Sequence, residues 1–220
     1  MKDIQKFIAG FRNFRKEYFS REDAPFEILL KGQNPTTMVI ACSYSRTDPS
    51  FIMQCEPGDI FVVRNVANIV PPYESDEGFH GVSSAIEYAV QVLKVEHLIV
   101  LGHSLCGGID ALMHDDKVRH TEFLHKWLSV MSPVRDEVVD HFGEVNKKSC
   151  TACEMAGILR SVRNLMTFPW IRERVDQGKL SLHGWYFEME SGQLLSYMRE
   201  TETFEPLSKC CPVLKREQTD

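Results

Sequence analysis

The spacing of apolar positions changes along the chain, and the first change separates an N-terminal segment from the rest. Within residues 3–19, Ile4, Phe7, Phe11 and Phe14 recur three or four positions apart, as one face of a helix requires. This face is too apolar to stay in water, so we expect it to pack on the main body or on another subunit. We therefore interpret residues 1–30 as an N-terminal helical arm and residues 31–220 as a single domain.

Three short apolar runs follow the arm, at residues 37–42, 60–64 and 98–102. Continuous runs of this length, rich in β-branched residues and bounded by turn residues, are typical of parallel strands buried on both faces. Between the second and third runs, residues 81–93 place apolar side chains at helical spacing. This strand–helix–strand order predicts an α/β fold.

The second half of the chain is predicted to be mostly helical before it returns to strands. Residues 107–177 carry helical spacing that is interrupted by two prolines and a glycine. Residues 180–188 and 193–198 flank Ser191-Gly192, which indicates a hairpin. We therefore expect a central, mostly parallel sheet flanked by helices, with the N-terminal helical arm at one end of the chain and a late hairpin at the sheet edge.

Composition narrows the class of protein. A hydrophobic fraction of 43% in 220 residues is enough for a substantial core. The net charge of -6 argues against a nucleic-acid surface, and no apolar run approaches the length of a membrane span. The first residues lack the apolar stretch of a signal peptide, so we expect a soluble, cytoplasmic protein. In that reducing compartment, metal binding or burial explains seven cysteines better than disulfides do.

Three residues with metal-binding side chains stand where the predicted strands end. Cys42 closes the first apolar run, and His103 and Cys106 follow the third. Ligands of open α/β sheets bind beyond the carboxyl ends of the strands, so we expect these three side chains to meet. Two thiolates and one imidazole suit one tetrahedral Zn²⁺ per chain with an open fourth position, which is typical of a catalytic zinc.

Several motifs, taken in order, resemble those of the β-class carbonic anhydrases. They are ACSYSR at residues 41–46, VRNVAN at 63–68, AIEYA at 85–89 and GHSLCGG at 102–108. The resemblance extends from about Lys31 to Gly108 and continues through residues 150–172. The segments at residues 31–33 and 70–73 are similar to the plant-type branch of that family.

The resemblance implies a zinc enzyme that interconverts carbon dioxide and bicarbonate. It implies a homodimer or a higher homo-oligomer, whose sheet is extended by strand pairing between subunits and whose N-terminal arm embraces the partner. Cys42, His103 and Cys106 correspond to the zinc ligands of the family, and Arg46 corresponds to the arginine of its Asp–Arg dyad.

The resemblance also implies a small substrate pocket. Gln33, Phe61, Val66 and Tyr88 correspond to pocket residues, some of them across the dimer interface. Gly107 and Gly108 open a predicted helix, and their N–H groups could meet an anion near the metal. The alternative is that these two glycines permit tight packing beside the sheet, and both interpretations can hold together.

Tyr44 departs from the family motif, which has Asp at this position. An ionised carboxylate only accepts hydrogen bonds, whereas a neutral phenol donates and accepts. The Asp of the family accepts a hydrogen bond beside the metal, and its arginine holds that carboxylate in orientation. Tyr44 in its neutral form therefore does not reproduce the Asp, and its ring adds bulk beside a pocket sized for a triatomic substrate.

Three positions of Tyr44 stay open at the level of sequence. The ring can point away and leave a weakened enzyme, its oxygen can ligate the metal as phenolate, or the ring can fill the pocket without ligation. The leading hypothesis is a carbonic anhydrase with activity reduced or altered by Tyr44. The alternatives are a catalytically silent zinc-binding subunit or scaffold, and a hydrolase of sulfur analogues of carbon dioxide.

Overall fold

The structure, a computed structural model, describes residues 2–19, 26, 29–76 and 78–207. The final thirteen residues of the predicted domain and most of residues 20–28 of the arm lie outside the described residues. The helices of the described part are α1 (Lys2–Phe19), α2 (Pro49–Met53), α3 (Gly81–Glu87), α4 (Gly107–Met113), α5 (Glu122–Leu128), α6 (Ser132–Phe142), α7 (Lys147–Leu165) and α8 (Pro169–Asp176). The strands are β1 (Thr37–Cys42), β2 (Ile60–Asn65), β3 (His97–His103), β4 (Ser181–Glu188), β5 (Gln193–Met198) and β6 (Thr203–Pro206).

The six strands form one sheet in the order β2-β1-β3-β4-β5-β6. The first four strands of this order run parallel, and β5 and β6 are antiparallel to their neighbours. The predicted α/β fold with a mostly parallel sheet and a late hairpin is confirmed. The hairpin is β4–β5, and β6 lies outside it at the edge, so the sheet is one strand wider than the sequence predicts.

Both faces of the central strands are buried, which explains why β1 and β3 lack alternating polarity. On one face, Met38 and Ile40 pack with α7 and α8 side chains in the largest apolar cluster. On the other face, Val39 and Ala41 pack with Ile99 and Leu101 of β3. A third cluster joins Cys42 and Cys106 to helices α4–α7. The carboxyl ends of β1 and β3 therefore open into apolar surroundings.

The helix α1 forms as its spacing predicts, but its apolar face is exposed on this chain. Phe7 is 65% exposed, and Ile4 and Phe11 are similarly open. The C-terminal end of the helix meets another aromatic ring, where Phe14 and Tyr18 contact Phe26. Of the two predicted partners for this face, the described residues of the main body do not cover Ile4, Phe7 and Phe11. Within the described residues, no helix combines the length and apolar composition that crossing a membrane requires.

The approach of α7 to the sheet depends on two glycines. A Cβ atom at Gly102 of β3 would lie 2.6 Å from the Ile158 side chain, and one at Gly184 of β4 would lie 3.0 Å from it. Because neither strand carries a side chain at these points, Ile158 packs directly on the backbone. The helix that flanks the candidate site therefore approaches the strand backbone at these two points, in addition to the side-chain contacts that Ile158 and Leu165 make in the largest apolar cluster.

Substituting Gly102 tests this seating of the helix. Gly102→Ala should lower the free energy of unfolding by about 1–3 kcal/mol, because the added methyl group overpacks against Ile158. Gly157→Ala, in α7 itself, is the control, since its Cβ would meet Ile109 of α4 at an ordinary 3.8 Å. Removing a helical glycine should leave stability unchanged or raise it by about 0.5–1 kcal/mol. Urea denaturation of both variants measures the contrast, and equal effects at the two positions would contradict the proposed contact.

Candidate metal centre and pocket

Two neighbouring parallel strands bring the predicted ligands to one edge of the sheet. Ala41 of β1 lies opposite Leu101 of β3, so Cys42 and His103 come at matching strand ends. Cys106 follows one turn later, as the residue that precedes α4. All three side chains are buried, with no more than 4% of any residue exposed. The sequence prediction that these residues meet is supported by this geometry.

The three side chains form a compact donor set. Their ligand atoms lie within 4.8 Å of one another, and the two Sγ atoms are 3.9 Å apart. The Nδ1 atom of His103 donates to the Ser104 carbonyl at 2.8 Å, while its Nε2 atom is buried without a hydrogen-bond partner. A buried polar atom of this kind normally has a partner. The residues therefore fit a metal ion, with two thiolate sulfurs and Nε2 as the donors.

The two thiols influence each other's ionisation. The hydrogen bond from Cys106 lowers the pKa of Cys42, and His103 lowers it further against the opposing effect of burial. The same contact between the sulfurs raises the pKa of Cys106, and burial raises it again. The pair thus favours one ionised and one protonated sulfur. A divalent cation would replace the shared proton, because metal ligation requires the thiolate form.

Tyr44 covers one side of this donor set. Its ring stacks on the His103 ring, with centroids 5.0 Å apart and planes 20° from parallel. Its hydroxyl oxygen accepts a hydrogen bond from Arg46, whose guanidinium carbon lies 4.6 Å from the Tyr44 ring centroid. A Cβ atom added at Gly107 would lie 4.0 Å from the ring. Tyr44 therefore stands beside the donor set and holds the exposed Arg46.

Val66 and Gly108 form one apolar wall next to the ligands. A Cβ atom at Gly108 would lie 2.8 Å from the Val66 side chain and 3.0 Å from that of Ala67, so close packing requires glycine here. Ala67 has a φ of 64°, in the left-handed region that non-glycine residues rarely adopt. The indole of Trp127 donates to the Val66 carbonyl at 2.8 Å and helps to hold this turn. The tight-packing interpretation of Gly108 is thus supported by the contacts.

The other predicted pocket residues lie apart from this wall. Phe61 of β2 and Tyr88 contact each other, with ring centroids 5.8 Å apart, and Phe61 packs on the largest core cluster. Tyr88 starts a single π-helical turn (Tyr88–Val92) and is 43% exposed. Gln33 is exposed in the segment before β1. On one chain, Gln33 and Tyr88 are thus open to solvent and Phe61 is partly buried.

Arg64 braces the loop that carries Cys42 and Tyr44. Its Nε atom donates to the Cys42 carbonyl at 2.9 Å, and one terminal nitrogen donates to the Tyr44 carbonyl at 2.6 Å. Its other terminal nitrogen pairs with Asp48 at 2.8 Å, and Asp48 in turn caps the N-terminus of α2. These contacts give Arg64 a structural role in the loop.

Glu154 is the residue near the ligands that sequence reasoning missed. Its carboxylate accepts from the Cys106 N–H at 2.9 Å and from the Tyr186 hydroxyl at 2.7 Å. Burial raises the pKa of Glu154, and its hydrogen-bond donors oppose that effect. One signal was available: Glu154, Ile158 and Leu165 share a helix face, and a carboxylate on an apolar face requires a partner.

A parallel sheet with two thiols and an imidazole at its carboxyl edge defines a class of metal-binding α/β proteins, and comparisons with known proteins identify the family. The family model described as "Carbonic anhydrase" matches residues 37–194. A carbonic anhydrase of Synechocystis is 38% identical over 196 residues, which cover 88% of this chain and 71% of that protein. Beta carbonic anhydrase 3 of Arabidopsis thaliana is 34% identical over 193 residues, covering 86% of this chain and 74% of the plant protein.

Solved structures agree with this assignment. The structure of the β-carbonic anhydrase CcaA is 36% identical, with a TM-score of 0.88, and the match covers 94% of this chain and 92% of CcaA. A tetrameric β-carbonic anhydrase from Sordaria macrospora is 29% identical, with a TM-score of 0.80, and the match covers 89% of this chain and 97% of the fungal one. The chain belongs to the β-carbonic anhydrase family, as its motifs predict.

Replacing Arg64 tests the brace on the Cys42 loop. Arg64→Met should lower the free energy of unfolding by about 1.5–3 kcal/mol, because the Cys42 carbonyl and Asp48 lose a charged donor. Arg64→Lys should recover only part of this loss, since an ammonium group does not reproduce the planar fork. Arg135→Lys is the control: its side chain is 26% exposed against 27% for Arg64, and its ion pair is with the adjacent Asp136. In urea denaturation, Arg135→Lys should change the free energy of unfolding by no more than about 0.5 kcal/mol. Full stability of Arg64→Lys would contradict the fork-shaped contact.

Proposed function

We propose that this chain catalyses the zinc-dependent, reversible hydration of carbon dioxide to bicarbonate and a proton, and that Tyr44 reduces this activity. The observation that carries the proposal is the buried set of Cys42, His103 and Cys106, with the Nε2 atom of His103 left without a protein partner. This donor set occurs in a chain of the carbonic anhydrase family, in which the reaction is expected.

Zn²⁺ held by Cys42, His103 and Cys106 would lower the pKa of a bound water and so supply hydroxide near neutral pH. The protein side chains orient this site. The Ser104 carbonyl fixes the tautomer of His103, because it accepts from Nδ1–H and leaves Nε2 for the metal. Val66 and Gly108 supply an apolar wall that suits an uncharged triatomic substrate.

The geometry of Tyr44 supports the pocket-filling interpretation among the three that the sequence leaves open. Its ring lies over His103 rather than pointing away, and its oxygen is engaged by Arg46. A phenol held in this way gives Arg46 a neutral partner in place of an ionised carboxylate. We therefore expect a site that binds metal but holds substrate and reacting groups less well than an Asp-containing relative. The same geometry favours the silent zinc-binding homologue as the second candidate.

We also propose a homo-oligomer in which residues 1–30 act as an arm against the partner subunit. The exposed apolar face of α1 supports this assembly, since apolar surface of that extent is typical of protein interfaces. The half-exposed Phe61, Val66 and Tyr88, together with Gln33, would then be completed as pocket residues by the partner. The Sordaria macrospora relative is described as tetrameric. The cytoplasmic location stays a prediction from the sequence.

Substituting Tyr44 tests the proposed function directly. We expect one Zn²⁺ per chain in the unmodified protein, with weak carbon dioxide hydration in stopped flow. Tyr44→Asp should raise kcat/KM for hydration by about 10–100-fold, which is the usual effect of a residue that supports a metal site from outside the ligand set. Protein of known zinc content is required, so that rates are compared per bound metal.

Two further variants distinguish the effect of the bulky Tyr44 ring from the effect of the missing negative charge. Tyr44→Ala removes the ring without supplying a carboxylate, and Tyr44→Asn matches Asp in shape but carries no charge. If only Tyr44→Asp is faster, the ionised partner of Arg46 is the missing element. If Tyr44→Asp is no faster than the unmodified chain, Tyr44 is not the cause of low activity. Stoichiometric zinc with no hydration in any variant would favour the silent homologue, and sulfide release from carbonyl sulfide would favour the hydrolase alternative.

A further inference from the structure

The buried carboxylate of Glu154 lies outside the donor set of Cys42, His103 and Cys106. Only 5% of the residue is exposed, and its two oxygen atoms accept hydrogen bonds from different parts of the protein. Oε1 accepts from the Cys106 N–H and Oε2 accepts from the Tyr186 hydroxyl. Both oxygens of the side chain are therefore engaged by the protein, one by the turn that carries Cys106 and the other by β4.

The position of Glu154 follows from the seating of α7. The helix begins at a capping box formed by Asn146 and Ser149, which fixes its first turn. Ile158 packs on the backbone of Gly102, and Glu154 lies one turn earlier on the same helix face. This places the carboxylate beneath the turn that joins His103 to Cys106.

The turn from His103 to Cys106 depends on contacts with residues outside it. Leu105 lies between the two ligands with a φ of 57°, a left-handed conformation that costs free energy for a residue other than glycine. The Cys106 N–H stands at the start of α4, where the first amides of a helix have no partner within it. Glu154 satisfies this buried amide, and the contact fixes the direction in which the Cys106 side chain leaves the backbone.

Tyr186 extends this support to the sheet. It lies on β4 opposite Gly102 of β3, one position before the pair formed by His103 and Phe187. Its hydroxyl holds the second oxygen of Glu154, so α7, β4 and the ligand turn meet at one carboxylate. Glu154 is not itself a ligand in this arrangement, because the converging donor atoms of the described residues are those of Cys42, His103 and Cys106.

We propose that Glu154 is a positioning residue that holds the metal ligand Cys106 through its backbone amide, with Tyr186 fixing the carboxylate in turn. The proposal rests on the metal site of the proposed function, but not on the identity of the substrate. In this proposal, α7 sets the position of the Cys106 sulfur as well as covering the sheet.

Two substitutions distinguish this role from a general contribution to stability. Glu154→Met keeps a similar volume but removes both acceptors, so the Cys106 N–H loses its partner. Glu154→Gln is the conservative variant, because its amide oxygen can still accept from Cys106 while its NH₂ group donates to the Tyr186 oxygen. Asn164→Leu is the matched control: Asn164 is a buried polar residue of the same helix, and it donates to the Val70 carbonyl far from the ligand turn.

The measurement is Co²⁺ binding to metal-free protein, followed through the thiolate-to-cobalt charge-transfer band and by competition with a chelator. Glu154→Met should bind Co²⁺ about 10–100-fold more weakly than the unmodified chain, with a shifted band. Glu154→Gln should restore both the affinity and the band. Asn164→Leu should lower resistance to urea while leaving the band and the affinity unchanged.

Two outcomes with the first variant and its control would overturn the proposal. An unchanged band and affinity in Glu154→Met would overturn it, as would an equal shift in Asn164→Leu. If Glu154→Met yields no folded protein, Tyr186→Phe decides, because it releases the carboxylate from β4. A shifted band in that variant supports the proposal, and an unchanged band and affinity overturn it. Failure of the unmodified chain to bind one Co²⁺ would instead refute the metal site, and Glu154 would then have no ligand to position.

Discussion

The parallel register of β1 and β3 is the constraint on which the candidate site depends. Thr37 lies opposite His97 and Ala41 opposite Leu101, so the two strands end at the same edge of the sheet. Because both faces of these strands are buried, a slip of one residue would turn every core side chain to the opposite face. The packing that buries the apolar runs therefore also sets the distance between the two strand-end ligands.

Tyr44 lies in the loop after β1, outside the paired strand positions that bring Cys42 and His103 together. Cys42 and His103 take their positions from the sheet, whereas Tyr44 lies in a loop that Arg64 and Asp48 hold against β2. A change at position 44 can therefore leave the donor set intact. Under the proposed function, one chain can therefore combine three candidate metal ligands with Tyr44 at the position where the resemblance implies an Asp. Metal binding and hydration are consequently distinct properties of this fold, and each requires its own measurement.

The sequence predicted those features that depend on local pattern or on the chemistry of single residues. Buried parallel strands appear as apolar runs, and thiols and an imidazole at strand ends are rare enough to indicate a metal. The extra strand β6 was missed because Thr203–Pro206 is short, polar and only half-buried. Glu154 was missed for another reason: its partners, Cys106 and Tyr186, lie 48 and 32 positions away along the chain. Contacts between residues so far apart in the sequence depend on how α7 packs on the sheet. The pattern of a single sequence does not show this packing.

Two charged residues of opposite sign reach the sulfur ligands through the backbone. Arg64 donates to the Cys42 carbonyl, and Glu154 accepts from the Cys106 amide. A guanidinium in contact with a thiolate would compete with the metal for the lone pairs of the sulfur. A carboxylate in the same place would repel the negatively charged sulfur. Contacts through the peptide group fix the direction of each side chain and leave the sulfur free to bind metal. Arg46 differs from both, because its contact is a side-chain hydrogen bond to the Tyr44 hydroxyl oxygen.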